Sequence, residues 1–378
     1  MSASNKVMIF GLGDLGGWVL EFLARRNGIS TIIACDKRED WGASKVEGAA
    51  TSSSTEGFNK TIEFEKCDVF DIDRTAELIS KHNPDLIYSS MTLMSWSVGA
   101  FFPDDIHEEM KQIAGMMMPL HLTLPHKLMQ AVKKSGCKPV VIQNSWPDVV
   151  NVMLCRSGFD VLVGGGNHDL VSSRIKRMIS REKNVPFSEV MVWFVAEHVI
   201  NVRNIKKLGI PYFLKIVVGG EDITNKYDTA KLAQMSPDCP NAWISWHSHT
   251  QVASSAVKNI MAVLNDTNEF TGAPGPNGLV GGYPIRISAK GVKVELPKEL
   301  SLEQAIKINT DDCKFEGIEE IKDDGTLVVT DEGYDIAKKL VGIECREIKP
   351  ADSADWAKEL IPAFKKLGDK YNAPVPQY

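Results

Sequence analysis

Three glycines and one aspartate are the residues of this sequence whose types and spacing point most directly to chemistry. Gly11, Gly13 and Gly16 follow the short apolar run 7–10 and open an amphipathic segment. A second apolar run ends at Asp36, which lies 20 residues after Gly16. A strand, G-x-G-x-x-G, a helix, a second strand and an acid, in that order, form the fingerprint of a dinucleotide site. We therefore predict that this chain binds a dinucleotide.

Each part of this fingerprint has a physical role. Gly11 permits a tight turn, Gly13 lets a pyrophosphate approach the backbone, and Gly16 allows close packing of helix on strand. Asp14 and Leu15 begin the helix, whose free N–H groups and dipole favour an anion. These five residues are predicted to contact the cofactor.

Asp36 is predicted to select the form of the dinucleotide. Its carboxylate can accept hydrogen bonds from the adenosine ribose hydroxyls and would repel a 2′-phosphate. The sequence therefore favours NAD over NADP. Lys37 and Arg38 follow immediately and weaken that preference.

Further cofactor contacts are predicted where other apolar strands end, because ligands bind outside the carboxyl ends of parallel strands. The residues at these ends are Asp68, Val69, Ser89, Ser90 and Met91. An alternative role for Asp68 is to cap the helix that follows.

The order of elements predicts an α/β fold. Apolar strands alternate with amphipathic helices up to about residue 150, which is typical of a doubly wound parallel sheet. The second half is mixed, with a helix over 243–264 and an antiparallel hairpin over 283–296. We predict a nucleotide domain over 1–150 and a catalytic domain over 151–378.

Composition, net charge and cysteine spacing exclude several classes of protein. The 378 residues are 43% hydrophobic and 24% charged, with a formal net charge of −6, so there is no basic excess to bind nucleic acid. No run of 18 apolar residues predicts a membrane span, and the first strand begins too early for a signal peptide. Seven cysteines without C-x-x-C spacing argue against disulfides and structural zinc. We expect a cytoplasmic protein with a small-molecule partner.

An apolar stretch over 92–118 follows the fourth strand and is rich in methionine and aromatic residues. At the carboxyl end of a strand, such a stretch could be a mobile loop that recognises an apolar substrate or closes over it. The alternative is a domain or subunit interface, where the same residue types are common.

A dinucleotide enzyme also needs a group that moves a proton, and histidine is suited to this near neutral pH. Four of the eight histidines lie at element ends in the second half: His168, His198, His247 and His249. His198 ends an apolar strand beside Glu197, and we predict that it is the acid/base. The alternative is a hydrogen-bonded structural histidine.

The order of several motifs resembles that of the lactate/malate dehydrogenase superfamily. Residues 144–148 resemble its Asn-Pro-x-Asp, residues 166–174 its Leu-Asp-x-x-Arg, and residues 196–199 its Gly-Glu-His-Gly. Ser245-Trp246 before a long helix and the hairpin from Tyr283 also fit. The resemblance implies a Rossmann domain followed by an α+β C-terminal domain, NAD as cofactor, and a homo-oligomer, either a dimer or a tetramer.

The resemblance also implies roles for single residues. Asn144 would contact the nicotinamide ribose and the substrate, and Arg174 would bind a substrate carboxylate through two parallel hydrogen bonds. His198 would donate and accept the proton.

The family aspartate that orients the histidine falls on Val171, so Asp169 is a candidate to replace it. Glu197 is a second candidate to orient His198.

Other departures from the family pattern concern the substrate. The family's active-site loop usually carries an arginine, and 92–118 contains none. A larger or less polar substrate than malate is therefore expected.

The sequence thus predicts an NAD-dependent oxidoreductase that transfers a hydride between nicotinamide and a hydroxyl or carbonyl carbon. One alternative is an enzyme resembling the NAD-dependent glycoside hydrolases, with a metal held by His168 and His198. The other is a non-catalytic NAD-binding sensor.

Overall fold

A parallel sheet of five strands lies at the centre of the first half of the chain. The computed structural model describes residues 5–234 and 246–375. The strands are β1 (Asn5–Phe10), β2 (Ile29–Asp36), β3 (Thr61–Lys66), β4 (Leu86–Ser89) and β5 (Val140–Gln143). They are hydrogen-bonded in the order β3-β2-β1-β4-β5, and all four pairs are parallel.

Helices join these strands and cover the sheet. They are α1 (Asp14–Ala24), α2 (Glu39–Thr55), α3 (Ile72–His82), α4 (Asp104–Lys111), α5 (Met118–Ser135) and α6 (Pro147–Arg156). The strand order reverses between β1 and β4, and ligands bind in the crevice outside the strand ends at such a point. This topology confirms the predicted α/β class with a doubly wound parallel sheet.

The second half contains three antiparallel sheets of three strands each. The first is formed by β6 (Val190–Val195), β7 (Phe213–Val218) and β8 (Glu221–Asp222). The second is formed by β9 (Glu269–Pro274), β10 (Gly282–Ser288) and β11 (Gly291–Val294). The third is formed by β12 (Ile318–Ile321), β13 (Leu327–Val329) and β14 (Glu347–Ile348). The predicted hairpin is therefore present as β10 and β11.

Seven helices accompany these sheets in the part of the chain that the structure describes. They are α7 (His168–Lys183), α8 (Ile205–Leu208), α9 (Thr229–Ala233), α10 (Trp246–Leu264), α11 (Leu302–Cys313), α12 (Asp331–Val341) and α13 (Ser353–Tyr371). Ser245, Cys239 and the side chains of Trp246 and His247 lie outside the described residues.

Both faces of the parallel sheet are buried, which explains why its strands are continuous apolar runs. Side chains alternate along β1, so Met8 and Phe10 lie in one core and Val7 and Ile9 in the other. The first core includes Phe364 of α13, and the second includes side chains of α1 and α10. The two halves of the chain are therefore packed on one sheet.

Two segments between the main elements are also defined by this architecture. Most of the segment 42–59 belongs to the 17-residue helix α2. The apolar run 159–163 forms a single bridge, between Val163 and Ile142. The proposed division at residue 150 stays a prediction and falls within α6.

The apolar stretch over 92–118 is packed rather than loose. Met94 and the three methionines 116–118 are buried and belong to the same core as α5. Trp96 and Phe101 remain exposed. The stretch, which includes helix α4, therefore forms a wall of the crevice.

Two further observations concern the class of protein. Among the described residues, no helix is both long enough and apolar enough to cross a membrane. The six cysteines of the described ranges are all free thiols.

Candidate active site

A cavity of about 550 Å³ lies along the carboxyl ends of the parallel strands. One end is formed by the glycine-rich loop after β1, and the other contains the His198 side chain from the end of β6. Most of the predicted site residues line it: Gly11, Gly13, Asp14, Leu15, Gly16, Asp36, Asp68, Val69, Ser90, Met91, Asn144 and His198. Ser89 is fully buried in β4 and does not line it.

The glycine-rich loop has the shape that a pyrophosphate requires. Gly11 has φ +89°, a conformation that side chains rarely adopt. A Cβ on Gly16 would lie 1.8 Å from the Gly11 carbonyl oxygen, whereas a Cβ on Gly13 would meet nothing within 4 Å. Gly13 is also the N-cap of α1 and supplies no capping side chain. The free N–H groups of α1 therefore border open space, and the loop fits a dinucleotide.

Asp36 is less available to a ribose than its position suggests. Its Oδ2 accepts a hydrogen bond from the Leu12 N–H at 2.8 Å, and its Oδ1 accepts one from the Arg38 N–H at 2.9 Å. The Arg38 guanidinium forms an ion pair with it at 3.1 Å. Burial alone would raise the pKa of the Asp36 carboxyl, but the hydrogen bonds from Arg38 and Leu12 lower it.

Asp68 lines the cavity and does not cap α3. Its Oδ1 accepts from the Phe70 N–H at 3.0 Å, while the cap of α3 is Asp71, whose Oδ1 accepts from the Arg74 N–H at 2.9 Å. The alternative role predicted for Asp68 is therefore taken by its neighbour.

His198 forms a buried pair with a carboxylate. Its Nδ1 lies 2.7 Å from Oε1 of Glu316, and both side chains are buried. Burial acts to lower the pKa of His198, but the charge and hydrogen bond of Glu316, together with the charge of Asp148, raise it above its ordinary value. The pair therefore favours a protonated imidazole, which can donate a proton.

Three more buried carboxyl groups surround this pair: Asp148, Glu197 and Asp312. Burial raises the pKa of Asp148 to about 6 and that of Asp312 to about 8, and Glu316 adds to both shifts. Burial and the charges of Glu316 and Asp148 also raise the pKa of Glu197. Among these carboxyl groups, Glu316 is the one whose oxygen contacts the imidazole.

Hydrogen bonds fix this cluster to the backbone. The Glu197 N–H donates to Asp312 Oδ2 at 3.2 Å, and Glu197 Oε2 accepts from the Val199 N–H at 2.7 Å. Asp148 Oδ2 accepts from Asn167 Nδ2 at 2.8 Å. The end of β6 is thus joined to α11, and α6 is joined to the start of α7.

Aromatic rings form the wall of the cavity beside His198. The ring centroid of Trp146 lies 4.7 Å from that of His198 and 5.0 Å from that of His121. Trp96 packs edge-on to His198 at 6.5 Å. Burial lowers the pKa of His121 to about 3, and the nearby His198 lowers it further, so His121 is neutral.

Comparison with solved structures identifies the fold. The chain superimposes on malate dehydrogenase of Cryptosporidium parvum with a TM-score of 0.60 at 15% identity, covering 82% of this chain and 96% of that one. Lactate dehydrogenase of Eimeria maxima, solved with NADH and oxamate, gives 0.59 at 16% identity, with 83% and 92% covered. Malate dehydrogenase of Aeropyrum pernix gives 0.57 at 15% identity, with 82% and 97% covered.

The chain has the lactate/malate dehydrogenase fold. The resemblance read from the sequence motifs is thereby confirmed at the level of the fold, including the α+β C-terminal domain. The glycoside hydrolase branch is not supported. No protein-family model and no curated protein sequence matches the chain.

Within this fold, two predicted site residues lie away from the cavity. The Arg174 Nη2 donates to the Gln234 carbonyl oxygen at 3.1 Å, and Arg174 does not line the cavity. Asp169 forms an ion pair with Lys258 at 2.7 Å and accepts from the Thr271 hydroxyl at 3.1 Å. The structure therefore does not bring Asp169 to His198, since its charge is paired on the other side of α7.

The residues proposed for a metal are also separated. His168 is buried, its Nε2 contacts the Phe194 carbonyl oxygen, and burial lowers its pKa to about 4. It does not line the cavity that His198 enters. In the described residues, no three His, Cys, Asp or Glu side chains are arranged to hold a metal ion.

Sequence reasoning missed the residue that orients His198. Glu316 lies in the turn after α11, 118 residues from His198, and Asp312 lies one helical turn before it. The only available signal was the start of α11, where Ser301 and Gln304 form a capping box before an amphipathic run. Nothing in the local pattern shows that this helix ends at His198.

Proposed function

We propose that this chain is an NAD-dependent oxidoreductase that transfers a hydride between nicotinamide and a hydroxyl or carbonyl carbon of a small organic substrate. The observation that carries the proposal is that the His198–Glu316 pair and the glycine-rich loop line one continuous cavity. Bound NAD would supply or accept the hydride, and the protein must then move one proton. The neighbours of this fold support the cofactor, since two of them were solved with NADH or nicotinamide adenine dinucleotide.

In this proposal, His198 takes the hydroxyl proton during oxidation and returns it during reduction. Glu316 Oε1 accepts from Nδ1 and thus leaves Nε2 as the nitrogen for the substrate. Asn144 lies at the cavity between β5 and Trp146, where its Oδ1 has no hydrogen-bond partner among the described residues. Asn144 is therefore available to accept a hydrogen bond from ribose or substrate.

The cavity walls support a substrate without a carboxylate. Arg174, the predicted carboxylate clamp, lies elsewhere, and the wall beside His198 is formed by Trp96, Trp146 and Glu316. A second anion there would have to be desolvated beside the Glu316 carboxylate. We therefore propose a neutral substrate with an apolar part.

A non-catalytic sensor was favoured by the absence of the family aspartate. Glu316 supplies a carboxylate to the same imidazole, so that reason no longer applies.

The test is a hydride-transfer assay with NAD and a panel of hydroxy acids, their esters, polyols and amino alcohols, read at 340 nm. We expect NADH production from an uncharged alcohol, unaffected by a chelator. Binding of NAD without turnover of any compound would favour the sensor, and loss of turnover with a chelator would favour a metal enzyme. The dimer or tetramer implied by the resemblance stays a prediction that light scattering can measure.

A further inference from the structure

The end of the cavity near Asp36 presents cations rather than a free carboxylate. Lys37 and Arg38 both line the cavity, directly after β2. The two oxygens of Asp36 are occupied by the N–H groups of Leu12 and Arg38 and by the Arg38 guanidinium. Asp68, another carboxylate that lines the cavity, accepts from the Phe70 N–H. The negative charge of Asp36, which normally excludes a 2′-phosphate, is thus already paired with Arg38.

Arg38 is held in place before any ligand binds. Its guanidinium carbon lies 4.9 Å from the centroid of the Trp41 ring, while its Nε lies 3.1 Å from Asp36 Oδ1. Trp41 is itself fixed, because its Nε1 donates to the Leu12 carbonyl oxygen at 2.7 Å. Lys45 adds a further positive charge, with its Nζ 5.0 Å from the same ring centroid. A pre-positioned guanidinium loses little conformational entropy when it binds an oxyanion.

A helix N-terminus lies at the same place and is a second, independent feature. Helix α2 has 17 residues, and its N-cap is Arg38, which provides no side-chain hydrogen bond to the helix. The first N–H groups of α2 therefore lack the acceptor that a Ser, Thr or Asp would provide. The first turn of α2 carries two carboxylates, Glu39 and Asp40, and Glu39 forms an ion pair with Lys66 at 2.9 Å that partly compensates its charge. An arginine joined to an uncapped helix start is a favourable arrangement for a phosphate dianion.

We propose that this site accepts a phosphate group on the adenosine ribose 2′-oxygen, bound by Arg38, Lys37 and the first N–H groups of α2. The chain would then bind NADP(H) with an affinity within tenfold of that for NAD(H), or higher, which revises the preference expected from Asp36 alone. The inference rests on the proposed function only in requiring that a dinucleotide binds in the cavity.

The test measures binding and does not depend on turnover. NADH and NADPH are titrated separately into the full chain while nucleotide fluorescence is followed. For wild type, the dissociation constant for NADPH should lie within tenfold of that for NADH, or below it. An NADPH constant more than tenfold weaker overturns the proposal.

Two variants then test whether Arg38 contacts the 2′-phosphate of NADPH. Arg38→Ala should weaken NADPH binding at least tenfold and change NADH binding less than threefold. Arg74→Ala is the matched control, because Arg74 is a similarly exposed arginine in an ion pair with Glu77 and does not line the cavity. Equal weakening of both nucleotides by Arg38→Ala would mean that Arg38 is only structural, and would overturn the proposal. Thermal melts of both variants verify folding.

A fragment experiment removes the nicotinamide end altogether. By calorimetry, 2′,5′-ADP should bind at least as tightly as 5′-AMP, which lacks only the 2′-phosphate, and its affinity should fall as salt is raised. If 5′-AMP binds and 2′,5′-ADP does not, the phosphate site does not exist. If NADPH binds but no alcohol is turned over, the enzyme proposal fails and the phosphate site stands. If neither nucleotide binds, both fail.

Discussion

The Nδ1 atom of His198 lies 2.7 Å from Oε1 of Glu316, a residue 118 positions later in the chain. The imidazole comes from the end of β6 and the carboxylate from the turn after α11, so two elements of the second half form the pair. The pair stands at one end of the cavity that the glycine-rich loop closes at the other. This arrangement has consequences that mutation and pH can test.

Replacement of His198 should separate chemistry from cofactor binding. His198→Asn removes the group that moves the proton and should lower turnover by roughly 10²–10⁴-fold. The affinity for NADH should be nearly unchanged, because the glycine-rich loop does not depend on His198. Steady-state rates and fluorescence titration measure the two effects. Unchanged turnover would remove His198 from the mechanism.

Glu316 should set the pH at which His198 titrates. In Glu316→Gln the hydrogen bond can be kept while the negative charge is lost, so the pKa of His198 should fall. Below its pKa the imidazole is protonated, which suits carbonyl reduction; above its pKa it is neutral, which suits alcohol oxidation. The pH at which kcat/KM for alcohol oxidation rises should therefore fall by roughly one unit. The measurement is kcat/KM against pH.

Glu197→Gln is the matched control for this shift. Glu197 is a buried neighbour whose pKa is raised, first by burial and then by Glu316 and Asp148, and its Oε2 accepts from the Val199 N–H rather than from the imidazole. Its replacement should leave the pH limb within a few tenths of a unit of wild type. A similar shift in both variants would show that general burial, and not Glu316, controls the imidazole.

The sequence predicted more of the cavity around the glycine-rich loop than of the cavity around His198. The glycine loop, Asp36 and the strand ends are local features, since a parallel sheet places all its carboxyl ends along one edge. The partner of His198 was not predictable, because Glu316 reaches it only through the packing of α11. Arg174 occupies the family position along α7 but contacts the Gln234 carbonyl oxygen. Matching a motif places a residue on an element and does not fix where its side chain points.

Arg174 should not contribute to substrate binding. Arg174→Gln should leave KM for the best alcohol within about threefold of wild type, whereas loss of a bidentate carboxylate clamp costs roughly 100-fold. In the same assay, the methyl ester of a hydroxy acid should be a better substrate than the acid. A large rise in KM confined to acids would restore Arg174 to the site.

Gly13 should be needed for the cofactor and not for the fold. A Cβ at Gly13 meets nothing within 4 Å, so Gly13→Ala should fold with a stability close to wild type. The methyl group would occupy the space where a pyrophosphate approaches the backbone, and NADH affinity should fall about tenfold or more. Gly17→Ala is the control, because a Cβ there makes an ordinary contact with Lys45 Nζ at 3.4 Å. Equal NADH affinity in the two variants would argue against pyrophosphate binding at Gly13.

Asp312 should make the fold less stable as pH rises. Burial raises the pKa of its carboxyl from 3.8 to about 8, so between these values the folded state holds a proton that the unfolded state releases. The free energy of unfolding must therefore fall from about pH 4 to about pH 8 and then level off. Asp312→Asn keeps an oxygen for the Glu197 N–H and removes this titration. Its gain over wild type should be larger at pH 8 than at pH 5 by about 1–3 kcal/mol.

Urea unfolding at the two pH values measures this gain. Asp311→Asn is the matched control, since Asp311 is the adjacent carboxylate of α11, is only partly buried, and pairs with Lys307 at 2.7 Å. Because such an ion pair near the surface contributes little, its replacement should change stability by nearly the same small amount at each pH. A gain for Asp312→Asn that is equal at pH 5 and pH 8 would show that Asp312 is ionised in the folded protein. The carboxyl cluster would then carry an extra buried negative charge beside Glu316, and His198 would hold its proton to still higher pH.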